Sequence, residues 1–350
     1  MSSNRMLNLL VPLISVVIGL LAGAVIMLVF GYNPIAGYQA LWLGAFGDMY
    51  FFGETIRQVT PYILTGLAVA FAFRAGLFNI GAEGQVIVGW LAAVWIGTSF
   101  DGPMIIHLPL AVFAAAAAGA LWGFIPGLLK AQLGVHEVIV TIMLNYTALH
   151  SANALVRNVL SDNQDKTENI SPTASLSSEW LQSITGYSRV HYGIIIALIF
   201  ALFMWFLIER TTIGYELKSV GFNKHASEYA GMSVKRNIIL AMVIAGGFAG
   251  LGGAMEGLGT FGHMSVQSGF TNLGFDGIAV ALLGANTAIG VVFAALLFGA
   301  LKVGALNMPT EAGIPTELVD IIIALIIFFV ASSYIIRWVI LRLKEGGKNK

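Results

Sequence analysis

The chain has 350 residues, of which 57% are hydrophobic and only 10% are charged. Because soluble domains carry about 25% charged residues, this composition excludes a soluble globular enzyme. The 18 Lys and Arg residues balance the 18 Asp and Glu residues, and there is no cysteine. We therefore expect no nucleic-acid partner, no disulfide and no thiolate metal site.

In chain order, ten apolar stretches are candidates for membrane-spanning helices, since a bilayer core of about 30 Å needs roughly 20 apolar residues per helix. They cover residues 9–30, 57–73, 86–98, 105–128, 138–156, 191–208, 237–256, 277–287, 289–306 and 318–340. Stretches 86–98 and 277–287 are too short to cross alone, so we expect them to extend into neighbouring turns or to be broken helices. The first stretch lacks a polar cleavage region and is interpreted as a retained anchor. We predict an all-α polytopic membrane protein in which residues 1–350 form one transmembrane domain.

Basic residues indicate the orientation of these helices, because cytoplasmic segments of membrane proteins are enriched in Lys and Arg. If both termini are cytoplasmic, only Arg57, Arg157, Lys166 and Arg189 lie in outer segments. Most of the others lie in inner segments, and Lys302 lies about one turn from the outer end of its helix, where it can snorkel. We therefore predict cytoplasmic N- and C-termini.

Two connections between the apolar stretches are long. The outer loop, residues 157–190, contains apolar residues at helical spacing, namely Leu176, Trp180, Leu181, Ile184 and Tyr187. They predict a short amphipathic helix, which either rests on the membrane interface or contacts an external partner. The inner, cytoplasmic loop covers residues 209–236.

A pattern of Asn, apolar, Gly, apolar, acid, Gly occurs at residues 79–84 and again at residues 272–277. Five predicted helices separate the two copies, and because this number is odd the second copy is upside down relative to the first. The pattern therefore predicts five-helix inverted repeats, with halves at about residues 1–156 and 191–340. Such repeats place broken helices beside a central pathway.

A purely structural role for this pattern remains open. Asn caps helices, glycine permits close backbone approach, and an acid in the first turn interacts favourably with the helix dipole. A carboxylate in the hydrocarbon costs about 2.5–3.5 kcal/mol, so Glu83 or Asp276, if deep, should face the bundle interior with a partner. Arg74 is the nearest candidate partner for Glu83.

Recognisable catalytic and metal-binding motifs are missing from the sequence. The six His residues show no H-x-x-x-H spacing, and neither G-x-S-x-G nor a phosphate-binding loop occurs. We predict no catalytic residue and no metal site, and if ATP drives the protein, another chain binds it. Ionisable residues are scarce within the helices, which favours an externally powered transporter. An ion-driven carrier that uses Glu83, Glu256 and Asp276 remains an alternative, as does a membrane enzyme acting on lipid.

Three segments carry a family resemblance: residues 74–85 (RAGLFNIGAEGQ), 137–146 (EVIVTIMLNY) and 274–284 (GFDGIAVALLG). They resemble the permease subunits of bacterial ABC importers for nucleosides and simple sugars, which are related to the ribose and branched-chain amino-acid permeases. Within that family the chain is most similar to the guanosine-type nucleoside permeases of Gram-positive bacteria. It departs from the family at His136, where Asn is expected, and at residues 285–288, where a basic, Pro-containing turn is expected.

The resemblance implies a transporter subunit without its own ATPase site. Separate ABC ATPase subunits would bind ATP and Mg²⁺, and this chain would carry no cofactor. A second homologous permease subunit and an extracytoplasmic substrate-binding protein are the other implied partners, and the implied location is the bacterial cell membrane. A nucleoside of the guanosine type would move inward. A permease for a simple sugar or a branched-chain amino acid is the alternative within the same superfamily.

The resemblance also implies site residues. Residues 221–231 match the short cytoplasmic helix through which family permeases receive force from the ATPase, and the implied coupling residues are Asn223, Ala226, Glu228 and Gly231. Asn223 suits an N-cap and Gly231 a C-terminal stop, although a solvated surface helix is the simpler interpretation. A purine nucleoside needs aromatic surfaces and amides. The candidate pathway residues are Phe78, Asn79, Glu83, Gln85, Asn145, Phe270, Asn272 and Asp276.

Overall fold

The computed structural model describes residues 2–161 and 164–332, and every regular element within them is helical. The elements are α1 (Ser2–Val29), α2 (Pro34–Phe46), α3 (Met49–Arg74), α4 (Ala82–Ser99), α5 (Met104–Leu133), α6 (Glu137–Leu155), α7 (Glu179–Ile184), α8 (Gly193–Arg210), α9 (Thr212–Phe222), α10 (Lys224–Tyr229), α11 (Val234–Ala254), α12 (Leu273–Leu283), α13 (Ala288–Ala305), α14 (Met308–Ala312) and α15 (Thr316–Ala331). Short π-helical segments, Val156–Leu160 and Met255–Phe261, extend α6 and α11. The predicted all-helical class is confirmed.

Six of the described helices have the length and hydropathy of membrane spans: α3, α5, α6 with its extension, α8, α11 with its extension, and α13. Each overlaps one of the ten predicted stretches. Stretch 9–30 falls on α1, and α15 covers only the first part of stretch 318–340. The rest of that stretch lies outside the described residues, as do Arg337, Arg342, Lys344, Lys348 and Lys350. Ten spans and cytoplasmic termini therefore stay predictions.

The two stretches that are too short to span have different outcomes. Helix α4 begins four residues before stretch 86–98 and reaches 18 residues. Helix α12 has only 11 residues, or about 16 Å at 1.5 Å per residue, and residues 262–272 before it are not helical. The first short stretch is therefore part of a longer helix, as one of the two predicted outcomes. The second is a short helix that follows an irregular segment.

The chain divides into two compact units, of which the first comprises residues 1–55 and 300–350. In its described part α1 packs on α15, where a Cβ added at Gly19 would lie 2.7 Å from the Ile326 Cα. Helix α2 begins at Pro34, and the Asn33 side chain caps it by accepting a hydrogen bond from the Ile35 N–H at 3.0 Å. Helix α2 is not among the predicted stretches, because its 13 residues are too few to give a membrane-span signal.

The second unit comprises residues 56–299, and its core is formed by α4, α5 and α11. The backbones of α5 and α11 touch, since a Cβ at Gly119 would lie 2.3 Å from the Gly246 carbonyl oxygen. Helix α4 joins them in the same way, because a Cβ at Gly253 would lie 2.1 Å from the Val86 carbonyl oxygen. Glycines four apart, at Gly119 and Gly123 of α5 and at Gly246 and Gly250 of α11, are typical of such close approach between membrane helices, so these GxxxG steps act in packing.

The outer loop forms less helix than its pattern predicts. Among its described residues, the α-helical part is Glu179–Ile184, with Trp180 63% exposed, and Pro172–Ala174 form a single 3₁₀ turn. Leu176 lies before this helix in a buried, extended segment, where its N–H donates to the Leu258 carbonyl oxygen at 2.8 Å. Tyr187 lies beyond the helix with φ 62°. The predicted amphipathic helix is therefore wrong at both ends and correct in its middle.

Candidate functional site

The two copies of the repeated pattern meet at the first turn of α12. Glu83, the acid of the first copy, is fully buried. Its Oε1 accepts hydrogen bonds from the Thr271 hydroxyl at 2.7 Å and from the Asn272 N–H at 2.9 Å. Its Oε2 accepts from the Gly274 N–H at 2.7 Å. A carboxylate here satisfies N–H groups that lack a partner within the helix and lies at the positive end of its dipole, so Glu83 caps α12.

Arg74 does not pair with Glu83, and that prediction is wrong. The Arg74 Nε donates instead to the Asn286 carbonyl oxygen at 2.8 Å. This contact lies beyond the C-terminal end of α12, whereas Glu83 contacts its N-terminal end. The two side chains are therefore engaged about 16 Å apart along that helix. The expectation that a deep carboxylate faces the interior with a partner is correct for Glu83.

Helix α4 is capped by a side chain from α6. The Asn145 Oδ1 accepts from the Gly84 N–H at 2.9 Å, and its Nδ2 donates to the Ile80 carbonyl oxygen at 3.0 Å. Asn145 is 1% exposed. A chain of caps therefore runs from α6 to α4 and, through Glu83, from α4 to α12.

The Asn residues of the repeated pattern do not themselves cap the helices that follow. Asn79 lies two residues before the N-cap Gly81, and its side chain accepts from the Gly81 N–H at 3.1 Å and donates to the Gln85 Oε1 at 2.9 Å. Asn272 stands at the N-cap of α12 with φ 65°, but its side chain makes no capping bond. The caps come from other helices, so the structural reading of this pattern is correct for the acid and wrong for the Asn residues.

We call the buried polar residues Asn79, Glu83, Gln85 and Asn145 the polar centre. The remaining pathway candidates make the following contacts. Asp276 on α12 accepts a hydrogen bond from the Tyr62 hydroxyl of α3 at 2.9 Å. Phe270 packs against Tyr146 with ring centroids 5.0 Å apart and against Phe275 at 5.6 Å. Phe78 instead packs on Phe73 of α3 at 5.1 Å.

The structure thus brings most candidates together through direct bonds: Asn79 with Gln85, Asn145 with residues 80–84, and Glu83 with Asn272. Tyr62 and Tyr146 belong to the same region and were missed. Tyr146 directly follows Asn145 in the family-like segment, which is a signal the sequence offered. Tyr62 carries no local signal, because its partner Asp276 is 214 positions away.

The segment implied to couple to the ATPase has the predicted caps. The Asn223 Oδ1 accepts from the Ala226 N–H at 3.1 Å at the start of α10. Gly231 adopts φ 83°, and its N–H donates to the Glu228 carbonyl oxygen at 2.9 Å, which ends the helix. Ala226 and Glu228 are exposed.

Two aromatic side chains of this segment are almost fully exposed. Phe222 at the end of α9 is 90% exposed, and Tyr229 at the end of α10 is 97% exposed. Large apolar residues so exposed on a surface mark interaction sites when they occur together. Neither residue is among the predicted coupling residues, although their neighbours Asn223 and Glu228 are.

Residues 221–231 also contact the part of the chain that leads into the repeated pattern. A Cβ added at Gly221 would lie 2.5 Å from the Arg74 carbonyl oxygen, and one at Gly76 would lie 3.0 Å from the Gly221 Cα. The backbones of α9 and of the turn after α3 therefore touch. From Gly76 the chain reaches Asn79 and Glu83 within seven residues.

Comparison with known proteins gives consistent results. Residues 51–331 match the family described as branched-chain amino acid transport system / permease component. The chain is 66% identical over 346 residues to the guanosine ABC transporter permease protein NupP of Bacillus subtilis (strain 168), with 99% of each chain covered. It is 48% identical to the nucleoside ABC transporter permease protein NupB of Lactococcus lactis subsp. cremoris (strain MG1363), over 95% of this chain and 93% of that one. It is 33% identical to the glucose ABC transporter permease protein TsgB13 of Haloferax volcanii, over 92% of this chain and 87% of that one.

Proposed function

This chain belongs to the branched-chain amino acid transport system / permease component family, and from that premise we propose that it moves a guanosine-type nucleoside inward as the permease subunit of an ABC importer. The observation that carries the substrate class is the likeness, over nearly the whole chain, to two permeases named for guanosine and for nucleosides. ATP and Mg²⁺ bind to separate ATPase subunits, and this chain holds no cofactor. Its other partners are a second homologous permease subunit and an extracytoplasmic substrate-binding protein.

The proposed arrangement is a multi-pass protein of the bacterial cell membrane with ten spans, two inverted five-helix repeats and cytoplasmic termini. The six helices of span length support it, as does the meeting of the two pattern copies at α12. The short α12 behind an irregular segment is the form that broken helices take at transporter pathways. In this orientation Arg74 and the segment α9–α10 lie on the cytoplasmic side.

The ATPase contacts α10 in this proposal. Phe222 and Tyr229 offer an exposed apolar surface. The small side chain of Ala226 allows α10 to fit into a groove of the ATPase. Movement of this surface passes to the turn at Gly76 through the backbone contact at Gly221. From there it reaches Glu83 and the N-terminus of α12, where the pathway lies.

The pathway itself is proposed at the polar centre between α4, α6 and α12. Phe270 with Tyr146 provides aromatic surface for a purine ring. The amides of Asn145 and Gln85 are buried and bonded within the protein, so these two residues hold the wall of the pathway in place. Phe78 packs on α3, so it supports the turn before α4 and is the weakest member of the predicted set.

A sugar is the second candidate substrate, because the glucose permease TsgB13 is 33% identical over most of the chain. Uptake by the complete importer in proteoliposomes distinguishes the two. With guanosine as the labelled substrate, we expect competition by nucleosides and none by ribose, glucose or leucine. Competition by glucose equal to that by guanosine would overturn the nucleoside assignment.

Energy coupling is tested with the same vesicles. The complete importer should accumulate guanosine only when ATP is present on the ATPase side. The chain alone, reconstituted with an ion gradient, should move none. Accumulation by the chain alone would favour an ion-driven carrier and overturn the proposal.

A further inference from the structure

A cavity of about 320 Å³ lies in the second unit, at the end of α3 where the chain turns before α4. Its walls come from the end of α3, the last turns of α8, and the turn between α12 and α13. The lining residues are Arg74, Met204, Trp205, Ile208, Glu209, Asn286, Thr287, Ala288 and Ile289. In the proposed orientation this is the level of the cytoplasmic lipid head groups.

One wall of the cavity carries a guanidinium group, that of Arg74, whose charge is not balanced by a nearby carboxylate among the described residues. No carboxylate of the described residues lies within ion-pair distance of Arg74. Glu209, the one acid in the lining, is engaged by the Lys218 Nζ at 3.0 Å. The Nε of Arg74 is fixed by the Asn286 carbonyl oxygen, which leaves the two Nη groups to donate to a ligand.

A buried acceptor lies beside this cation. The Asn286 Oδ1 is buried and has no hydrogen-bond partner among the residues that the structure describes. Because this atom is closed off from the cavity, Asn286 contributes to the wall through its carbonyl oxygen, which holds the Arg74 Nε. Arg210 stacks over Trp205 at 5.4 Å from the ring centroid, which adds a second cation near the wall.

A second cavity, of about 410 Å³, shares Trp205, Ala288 and Ile289 with the first. It continues between α8 and α13 as a furrow whose lining is almost entirely apolar, with Leu198, Ala201, Leu202, Val292 and Phe293 as the remaining residues. From Leu198 to Glu209 the two cavities follow α8 for about 16 Å, which is about half of a 30 Å bilayer core.

We propose that the two cavities form one binding site for an anionic glycerophospholipid, with phosphatidylglycerol as its ligand. The phosphate accepts hydrogen bonds from the Arg74 Nη groups, and the Asn286 carbonyl oxygen holds the Nε of the same guanidinium in the cavity wall. An acyl chain fills the furrow between α8 and α13. Basic pockets between membrane helices on the cytoplasmic side are suited to such head groups. A phosphatidylethanolamine ammonium would lie near the Arg74 and Arg210 guanidinium groups and is disfavoured by repulsion.

The test measures lipid binding to the purified full chain by native mass spectrometry. Phosphatidylglycerol and phosphatidylethanolamine with identical acyl chains are compared, and glycerol 3-phosphate represents the head group alone. We expect phosphatidylglycerol to bind about tenfold more tightly than phosphatidylethanolamine, the size of one charge-assisted contact. Glycerol 3-phosphate should not compete. Equal binding of the two lipids, or competition by glycerol 3-phosphate, would overturn the proposal.

Two variants separate the head-group contact from the furrow. N286D keeps the conformation, since Asn286 has φ 53° and Asp tolerates this region, but it places a carboxylate beside Arg74. It should lose about tenfold in affinity for phosphatidylglycerol, while N169D, the same change at an exposed outer residue, should lose nothing. V292W fills the furrow and should also weaken binding, whereas I195W, at a 52% exposed position of α8, should not.

Thermal unfolding in lipid-free detergent identifies any variant that fails to fold. If N286D and V292W both unfold like the unsubstituted chain and both bind phosphatidylglycerol normally, the site does not exist. The proposal would also be overturned if a second copy of the chain covered the furrow. Cross-links from α8 or α13 of one copy to the other copy would detect this. Failure of guanosine uptake would leave this result untouched, because lipid binding is measured without transport.

Discussion

The substitution E83Q removes the charge from the side chain that caps α12 and preserves its size. In the unsubstituted protein Oε1 accepts from Thr271 and Asn272, and Oε2 accepts from Gly274. A glutamine can keep both bonds at Oε1, but its amide nitrogen then faces the Gly274 N–H, donor against donor. Flipping the amide would lose two bonds instead of one, so the first arrangement is preferred.

The expected cost follows from these contacts. Losing one hydrogen bond to a charged acceptor costs about 1.5–3 kcal/mol, and losing a carboxylate at a helix N-terminus costs about 0.3–2 kcal/mol. Part of this cost is offset, because burying an amide requires less desolvation than burying a carboxylate. We therefore expect the free energy of unfolding to fall by about 2–3 kcal/mol.

Denaturant unfolding of the purified chain measures this change, and guanosine uptake by the reconstituted importer measures its functional effect. E317Q is the matched control, because Glu317 is also in the first turn of a helix but is exposed. That control should change stability by less than about 0.5 kcal/mol. We expect E83Q to lower uptake and E317Q to leave it unchanged. Equal stability and equal uptake for the two variants would refute the assignment of Glu83 as the cap of α12.

Three further predictions concern the glycine contacts of α11 and the short helix α10. G250A should lower the free energy of unfolding by about 1–3 kcal/mol, because its Cβ would lie 2.3 Å from the Ala115 carbonyl oxygen. In G247A the nearest atom would lie 3.6 Å away, so stability should be equal or higher; a similar loss in both would contradict the backbone contact. Y229A should reduce guanosine uptake per ATP hydrolysed without changing thermal unfolding, since the side chain is 97% exposed; unchanged coupling would argue against an ATPase contact at α10. G231A should destabilise the end of α10 by about 1–2 kcal/mol, because an L-residue is strained at φ 83°, and hydrogen exchange of the α10 amides should rise; unchanged exchange would contradict this.

Local patterns were the most predictable part of the fold. The caps of α10 depend on Asn223 and Gly231, which lie within a few residues of the backbone groups that they serve. The glycine steps of α5 and α11 were also readable, because regular spacing places small residues on one helix face. Short-range geometry decides both features.

The polar centre could not be assembled from the sequence in the same way. Glu83 and Gly274 are 191 positions apart, and only the packing of α4 against α12 brings them together. Nearness in sequence predicts Arg74 as the partner of Glu83, but the chain turns between them, and their contacts lie at opposite ends of α12. The repeated pattern correctly marked both ends of the contact, without indicating that they touch.

The outer loop illustrates an error of a different kind. Leu176 fits a helical period with Trp180 and Ile184, yet it is buried in an extended segment that pairs with Leu258. Periodicity describes which side chains are apolar, and a buried extended segment satisfies that description as well as a helix does. Only the tertiary hydrogen bonds distinguish the two structures.

The N-termini of α4 and α12 are both capped by side chains of another helix, Asn145 of α6 and Glu83 of α4. This dependence limits how either helix can move. If α4 and α12 move apart, the Glu83 carboxylate and the N–H groups at the start of α12 lose their hydrogen bonds at a depth where water is scarce. The two helices should therefore move together as a rigid body, or separate only while a bound molecule supplies hydrogen bonds that replace the lost ones. A substrate rich in hydroxyl and carbonyl groups can supply them, in which case binding of the substrate would itself open the pathway.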